Sequence, residues 1–486
     1  MSLVRILLPA SITAGLLLAA GCTVGPDYHR PEYSLPTTWA SPTTLPANVP
    51  TTKASTPLPQ TGSASLWWEN FNDPELTKLV RQAVGSNLDV KQAEARVRQA
   101  RAQRGESAAA LWPTVSTSAQ YTRSRGSSFD NANADTRSGG LYQAGFDASW
   151  ELDVFGGLRR NVEAADADVA AAIEDRRDVL VTLTAEVATD YLQLRSNQQA
   201  IVIAKQTLDN QRHNADITRK RFNAGLDVSS LDLANAEAQM ASTAAQIPVL
   251  ESSSTQLIYA ISVLLGQQPG ALVDELSATA EIPVTPPAIP IGLPSDLLRR
   301  RPDIRRAEAQ LHAAVARVGT ATADLYPKFS LTGSFGTEST KAKGLGNWDN
   351  RFWSVGPAVS WPLFDAGQIR STINVQTALE EQAVLTYTQS ILTALQDVDT
   401  ALTAYAKEQQ HRQALTDTVI AYRRALDLAT RLYTNGQTDF LNVVAAQGSL
   451  YSAENALVQS DSAVAADLVA LYKALGGGWE EGPVAK

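Results

Sequence analysis

Two stretches decide the fold: DVKQAEARVRQARAQRGESAAALWPTVST at 89–117 and DIRRAEAQLHAAVARVGTATADLYPKFSL at 303–331. A constant shift of 214 aligns Asp89 with Asp303, Ala93-Glu94-Ala95 with Ala307-Glu308-Ala309, and Gly105 with Gly319. The same shift aligns Leu111 with Leu325, Pro113 with Pro327 and Ser116 with Ser330. Further on, a shift of 211 aligns Trp150 with Trp361, Leu152 with Leu363, Gly156 with Gly367, Arg159 with Arg370, Phe222 with Tyr433 and Gly225 with Gly436. A shift of 210 aligns Leu265-Gly266 with Leu475-Gly476. Such matches mark a tandem duplication of a unit of about 210 residues.

Each unit reads in the order helix, strand, loop, strand, long helix, turn, helix. Residues 88–110 and 302–324 are Ala-rich helices, stopped by Pro113 and Pro327. Strand pairs are expected at 114–123 with 141–151, and at 328–337 with 353–362. In 141–150 Tyr142, Ala144, Phe146, Ala148 and Trp150 alternate with Gln143, Gly145, Asp147 and Ser149. In the second unit Phe329, Leu331, Gly333 and Phe335 alternate with Lys328, Ser330, Thr332 and Ser334. Period-2 patterning with aromatics near segment ends suits a transmembrane β-strand, one face to lipid and one to water; a half-buried soluble sheet would show the same period. The polar loops 123–140 and 338–352 suit long extracellular connections.

The longest helical stretches span about 155–220 and 366–433, each about 100 Å at 1.5 Å per residue. In the first, Val162, Val169, Ile173, Leu180, Leu183, Val187, Tyr191 and Leu194 recur at steps of 3, 4 and 7, a coiled-coil seam. Four strands cannot close a barrel, and open sheet edges in lipid cost several kcal/mol per unpaired group. Copies of the chain must therefore share one barrel; this step sets no copy number.

The chain has 486 residues, 44% hydrophobic and 19% charged, with a formal charge of −9, against the basic face a nucleic-acid partner requires. One Cys and 4 His leave no zinc-type cluster and no internal disulfide, and no metal or other cofactor is expected. No phosphate loop or nucleophile elbow occurs, and carboxylate pairs such as Asp166/Asp168 and Asp397/Asp399 lie on helical surface, so no enzyme is expected. Residues 1–21 read as a signal peptide ending in Leu18-Ala19-Ala20-Gly21-Cys22, which resembles a lipobox and makes Cys22 the acylation site. Thr23 follows, not the Asp that retains lipoproteins at the inner membrane. Residues 22–65 form a lipidated Pro/Thr/Ser-rich linker. The first repeat covers 66–281, a Pro-rich connector 282–294, the second repeat 295–479 and a tail 480–486.

Together these segments resemble the outer membrane factors of tripartite efflux pumps, a TolC-like superfamily, in its NodT-type lipoprotein branch. The resemblance rests on Cys22-Thr-Val-Gly-Pro-Asp-Tyr-His-Arg-Pro31, Trp67-Trp68-Glu-Asn-Phe71-Asn-Asp73-Pro74-Glu-Leu76, Leu293-Pro294-Ser295-Asp-Leu-Leu-Arg-Arg-Arg-Pro302-Asp303-Ile304 and Leu471-Tyr472-Lys473-Ala474-Leu475-Gly476-Gly477-Gly478-Trp479. It implies a mainly α chain with a transmembrane β-barrel. The barrel would be trimeric and 12-stranded, four strands per protomer, continued by a long periplasmic α-helical coiled-coil tunnel. It implies a homotrimer in outer-membrane lipid that docks on a periplasmic adaptor protein and an inner-membrane RND-type pump. A periplasmic adaptor is the competing class, but it has one helical hairpin where this chain has two equal halves.

Each long helix ends at a Gly-containing turn: Arg221-Phe222-Asn223-Ala224-Gly225-Leu226-Asp227 and Arg431-Leu432-Tyr433-Thr434-Asn435-Gly436-Gln437. Gly225 and Gly436 hold helix C-cap positions, where positive φ favours Gly. Asp227 or Ser229, and Thr438 or Asp439, are placed to cap the next helices. The tips at 222–232 and 433–442, with Gly225, Asp227, Gly436 and Gln437, are expected to form the periplasmic mouth and adaptor contact. In the family this mouth is a gate. The resemblance assigns gate-linking positions to Asp232 and Tyr433, puts Thr438 where some members have Arg, and puts Asn442 and Ala445 where members often carry acids. Asp439 lies nearby.

Overall fold

The computed structural model describes residues 23–40, 56–58, 66–125, 139–225, 229–283, 285, 288–290 and 294–479. The expected signal peptide, Cys22, Asp227 and the tail 480–486 lie outside them. In chain order the elements are β1 (Thr56–Leu58), α1 (Pro74–Ser86), α2 (Leu88–Ala109), β2 (Thr114–Ser124), β3 (Gly139–Leu152), α3 (Gly157–Asn223), α4 (Ser230–Leu264) and the single turn α5 (Val273–Leu276). The second series is β4 (Ala288–Pro290), α6 (Leu297–Arg300), α7 (Pro302–Ala323), β5 (Lys328–Ser339), β6 (Arg351–Ser360), α8 (Gln368–Thr434) and α9 (Phe440–Ala474).

The duplication is written into lengths and caps. α2 and α7 have 22 residues each, α3 and α8 have 67, and α4 and α9 have 35. Three twin pairs of glycines all take positive φ: Gly156 and Gly367 (79° and 86°), Gly225 and Gly436 (68° and 70°), Gly266 and Gly476 (69° and 73°). The last pair ends α4 and α9 alike, with Gly266 N donating to Val263 O and Gly476 N to Lys473 O, so that carbonyls otherwise orphaned at a helix end are satisfied. A twin indole bond recurs too: Trp150 Nε1 donates to Leu111 O at 2.9 Å, and Trp361 Nε1 to Leu325 O at 3.0 Å.

The chain packs into two compact units whose boundaries cut across the repeats. One unit (1–32, 96–173, 306–388) gathers both strand pairs into a single antiparallel sheet ordered β2-β3-β5-β6. Register decides what each face carries, because directly paired residues point the same way. Thr117 pairs with Phe146, Phe146 with Phe335, and Phe335 with Trp353. The next such row is Val115, Ala148, Gly333 and Val355. The alternate rows are polar or small, for example Ser116, Asp147, Ser334 and Ser354. The same unit holds Thr23–Glu32 as a strap on α7: Tyr28 stacks on His312 at 4.4 Å, and Arg30 pairs with Glu308 at 2.8 Å. Arg160 on α3 grips the strap through Asp27 and holds that carboxyl below the usual range.

The other unit (33–95, 174–305, 389–486) buries Trp67, Trp68, Phe71, Tyr191 and Tyr472. The repeat order read from the sequence begins with the helix at 88–110, and α1 forms ahead of it. Asp73 caps it, accepting from Glu75 N (2.8 Å) and Leu76 N (2.9 Å), and Pro74 opens it. Leu76, Leu79, Val80 and Ala83 repeat at helical spacing and are buried. Trp67 stacks on Tyr472 at 5.3 Å, and Tyr191 Oη donates to Asp73 at 2.9 Å. Arg301, from the RRRPD segment, is buried and satisfied by Asp303 (2.7 Å), Asp397 (3.0 Å) and the Ala474 carbonyl (3.0 Å).

The turn glycines differ in what surrounds them. A Cβ on Gly266 would come within 2.8 Å of Ser86 O, whereas one on Gly436 meets nothing within 4 Å. Gly436→Ala should therefore cost only the backbone term, about 1 kcal/mol, and Gly266→Ala clearly more. Thermal unfolding of the two variants checks this; equal losses would show the close approach to be without consequence.

Candidate functional site

Two surfaces concentrate the chemistry. The first is the apolar face of the sheet. Its large side chains lie bare in the single chain: Phe146 is 57% exposed, Phe335 51% and Trp353 74%, with Val115, Val355 and Val359 exposed beside them. A soluble sheet would bury such a face against helices; this one offers it outward across four strands. Among the described residues β2 and β6 each pair on one side only, so the outer edge of each has no ladder partner. No described helix is long and apolar enough to cross a membrane.

The second surface is the pair of helix tips. Phe440 and Val443 of α9, Ala215 of α3 and Ala236 of α4 form a small buried cluster, with Leu426, Ala429, Tyr433 and Val444 packed on it. The two hairpins thus meet through one apolar plug. The turn sequence places it: Phe440, Val443 and Val444 fall at helical spacing just beyond Gly436, an apolar signal that a reading of the polar tip residues misses. Tyr433 lies over Phe440 (5.1 Å between ring centroids), and the Arg221 guanidinium sits 4.9 Å from the Tyr433 ring. Arg221 is not singled out by the sequence pattern; it is the cation that meets the Tyr433 ring, whereas the resemblance places Thr438 where some members have Arg.

The remaining polar residues are used locally. Ser229 caps α4 in a reciprocal box: Asp232 N donates to Ser229 Oγ at 3.1 Å, and Ser229 N donates to the Asp232 carboxylate at 3.0 Å. Between the two candidate caps, Ser229 performs the capping in the structure. At the second tip Asp439 occupies the N-cap position, but its side chain makes no cap bond, while Asn442 Nδ2 donates to Thr438 Oγ1 at 2.7 Å. Gln437 N closes the α8 terminus on Leu432 O at 2.8 Å. Asp232 and Tyr433 are not joined within the protomer. The Asp232 carboxylate accepts from Ser229, and Tyr433 Oη is buried without a hydrogen-bond partner among the described residues. A turn before the first tip, Lys220 pairs with Asp216 at 2.7 Å and holds that exposed carboxyl below its ordinary range. No described group of His, Cys, Asp and Glu could hold a metal ion.

An exposed apolar sheet on a duplicated, mostly helical chain defines a membrane channel of the outer-membrane kind. The chain belongs to the outer membrane efflux protein family, whose model matches residues 79–267 and 293–477, one segment in each repeat. It is 30% identical to nodulation protein T of Rhizobium leguminosarum bv. trifolii over 97% of both chains. It is 33% identical to the pyoverdine export outer membrane protein OpmQ of Pseudomonas aeruginosa, over 85% of this chain and 87% of that one. Among solved structures it is similar to the outer-membrane channel OprN, with 37% identity and a TM-score of 0.85 over 94% of this chain and 100% of that one. The protein is thus an outer membrane factor of tripartite efflux pumps, an exit duct sited in the outer membrane and extending into the periplasm. Its fold class is the expected one, mainly α with four barrel strands per chain.

The two tips differ in cap chemistry, and this can be measured. Asp232→Ala removes one half of the Ser229 box and should cost about 1 kcal/mol locally, seen as faster hydrogen exchange in the first turn of α4. Asp439→Ala should change exchange in α9 much less. Equal effects would mean that the reciprocal bonds at Asp232 contribute nothing.

Proposed function

We propose that three copies of the chain share one 12-stranded barrel, are anchored by acylated Cys22, and pass small molecules received from an inner-membrane RND-type pump through a periplasmic adaptor. The observation that carries this reading is the mainly apolar face of a sheet whose two outer strands each have a ladder partner on one side only among the described residues. In hydrocarbon every unpaired N–H or C=O costs several kcal/mol. Four strands are too few to close, while three such sheets give 12, within the range of known barrels. Light scattering of the detergent-purified protein is expected to give three times the 52.0 kDa chain mass, allowing for the signal peptide. A monomer would overturn the reading.

The tips are proposed as the gate and the adaptor contact, with Gly225, Asp227, Gly436 and Gln437 shaping the turns and Asp232, Tyr433, Thr438, Asp439 and Asn442 lining them. Tyr433 Oη has no partner among the described residues and is covered within the protomer, so the proposed link requires the tip to turn this hydroxyl outward where copies meet. Asp232 is the candidate acceptor. Each link contributes about 0.5–1.5 kcal/mol, so a closed mouth needs several acting together. Asp232→Ala combined with Tyr433→Phe is expected to raise the single-channel conductance of the trimer in planar bilayers. Unchanged conductance sinks the assignment of these side chains. The cargo is proposed only as a class, small molecules delivered by the pump, as with the export and efflux roles in the relatives' names.

A further inference from the structure

Each charged residue of the four long strands lies on one face of the sheet or the other, and the register says which. They are Arg123 on β2, Asp147 and Glu151 on β3, Lys328 and Glu338 on β5, and Arg351 on β6. Successive residues of a strand alternate faces, while directly paired residues share one. Arg123, two pairs along from Ala119, and Arg351, paired with Thr337, fall on the face of Phe146, Phe335 and Trp353. Asp147, Glu151, Lys328 and Glu338 fall on the other. Among the described residues the apolar face of these strands therefore carries two charges, both arginines, and no acid.

Both arginines stand at the same end of the sheet. The helices α2, α3, α7 and α8 all join it at the opposite end, next to Thr114, Leu152, Lys328 and Ser360. The helices carry the duct into the periplasm, so Arg123 and Arg351 mark its outer end. One step inward on the same face Tyr121 and Tyr142 pack with ring centroids 4.5 Å apart, and Trp353 is bare. Aromatic rings at this level are expected where hydrocarbon gives way to head groups. One step outward, the β5–β6 connection adds the exposed Lys341 and Lys343 against a single acid, Asp349. Trp348 in that connection is 79% exposed, and Arg351 lies against it, with Nε donating to Trp348 O and the guanidinium over the ring. Glu338 is also at this end, but on the opposite face.

We propose that this rim binds the phosphorylated glycolipid of the outer leaflet, with acyl chains along Phe335, Trp353 and Val355, phosphates on Arg123 and Arg351, and a sugar ring against Trp348. The occupant follows from the order of surfaces along one face. Apolar, aromatic and cationic levels and then a bare indole succeed one another as acyl chain, phosphate and sugar do in such a lipid. A charge on the lipid side of a barrel is costly unless it sits at the boundary and meets a counter-charge there. The four other strand charges are on the water side; the two that are not stand at the level of lipid phosphates, which guanidinium groups bind through paired N–H donors. A glycerophospholipid would supply the phosphate and leave Trp348 without a use. The inference needs the sheet to lie in the outer membrane, and it is independent of how many copies share the barrel and of the gate.

Lipid titration tests the rim. The full chain in detergent is titrated with lipid A, a bis-phosphorylated and acylated glucosamine disaccharide, and separately with phosphatidylglycerol, and bound lipid is counted by native mass spectrometry. Arg123→Gln combined with Arg351→Gln should weaken lipid A binding by about tenfold or more, as expected when charge-assisted contacts to phosphate are lost. Trp348→Ala should weaken lipid A binding and leave phosphatidylglycerol unaffected. Lys328→Gln, at the opposite end and on the opposite face, should change neither. Light scattering confirms that each variant keeps the assembly of the unmodified protein, so a loss of lipid is not a loss of fold. Undiminished lipid A binding by the double arginine variant overturns the proposal. Equally tight phosphatidylglycerol binding that falls with the same two substitutions overturns it as well, since the rim would then read phosphate alone; neither result touches the shared barrel.

Discussion

The structure turns on backbone hydrogen bonds that one chain cannot complete. Four antiparallel strands satisfy each other across three ladders and leave the outer edges of β2 and β6 without a ladder partner among the described residues. In water such edges are a liability; in hydrocarbon they are forbidden at several kcal/mol per group. The apolar rows through Phe146, Phe335 and Trp353 commit the sheet to hydrocarbon, so the edges have to be satisfied by more strands. Everything else in the chain can be read as what is needed to present this incomplete sheet correctly: two hairpins set side by side, each fed and drained by helices of matched length.

Matched length is the second constraint. Two 67-residue helices and two 35-residue helices keep step only if their ends are set at the same positions, and no burial pattern along a helix that long can do this alone. The ends are set by backbone chemistry. Gly156 and Gly367 open the long helices in the left-handed region, Gly225 and Gly436 end them, and Gly266 and Gly476 end the return helices. Where L-residues would cost about 1–2 kcal/mol each, glycine lets both repeats turn at the same place. The indole bonds of Trp150 and Trp361 fix the corner between short helix and second strand in the same duplicated way.

Much of this is legible in the amino-acid order. The duplication, the four strands and the long helices follow from shifts of 210 to 214 and from clean periods of 2 and 3.6, because those patterns are set by local geometry that each residue feels directly. The strand limits differ by one or two residues, as expected where a ladder continues past the last alternating side chain. α1 escapes the repeat pattern although Asp73-Pro74-Glu75 spells a capped start, because α6, in the corresponding stretch of the second repeat, is a single turn. At the tips the glycines are readable, since their need is local. The pairing of polar side chains is not, because Asp232 could bond to its own Ser229 as easily as to a distant Tyr433, and only the folded chain shows that it does the former within one protomer. Arg221 over Tyr433 and the plug around Phe440 are hidden for the same reason: they join helices more than 200 residues apart in sequence.

The tips combine a firm interior with a weak polar rim, a combination that would suit the gate proposed for them. Burying Phe440 and Val443 between the hairpins ties α9 to α3 and α4, and truncating a buried Phe typically costs about 3–5 kcal/mol. The polar bonds around that plug, including the Ser229–Asp232 box and the Asn442–Thr438 bond, are exposed and worth far less each. A force applied by a docked partner would thus move the two hairpins of a protomer as one body before it separated them. In the proposed gate, any barrier to opening would then lie in links between bodies, where threefold repetition adds small energies together.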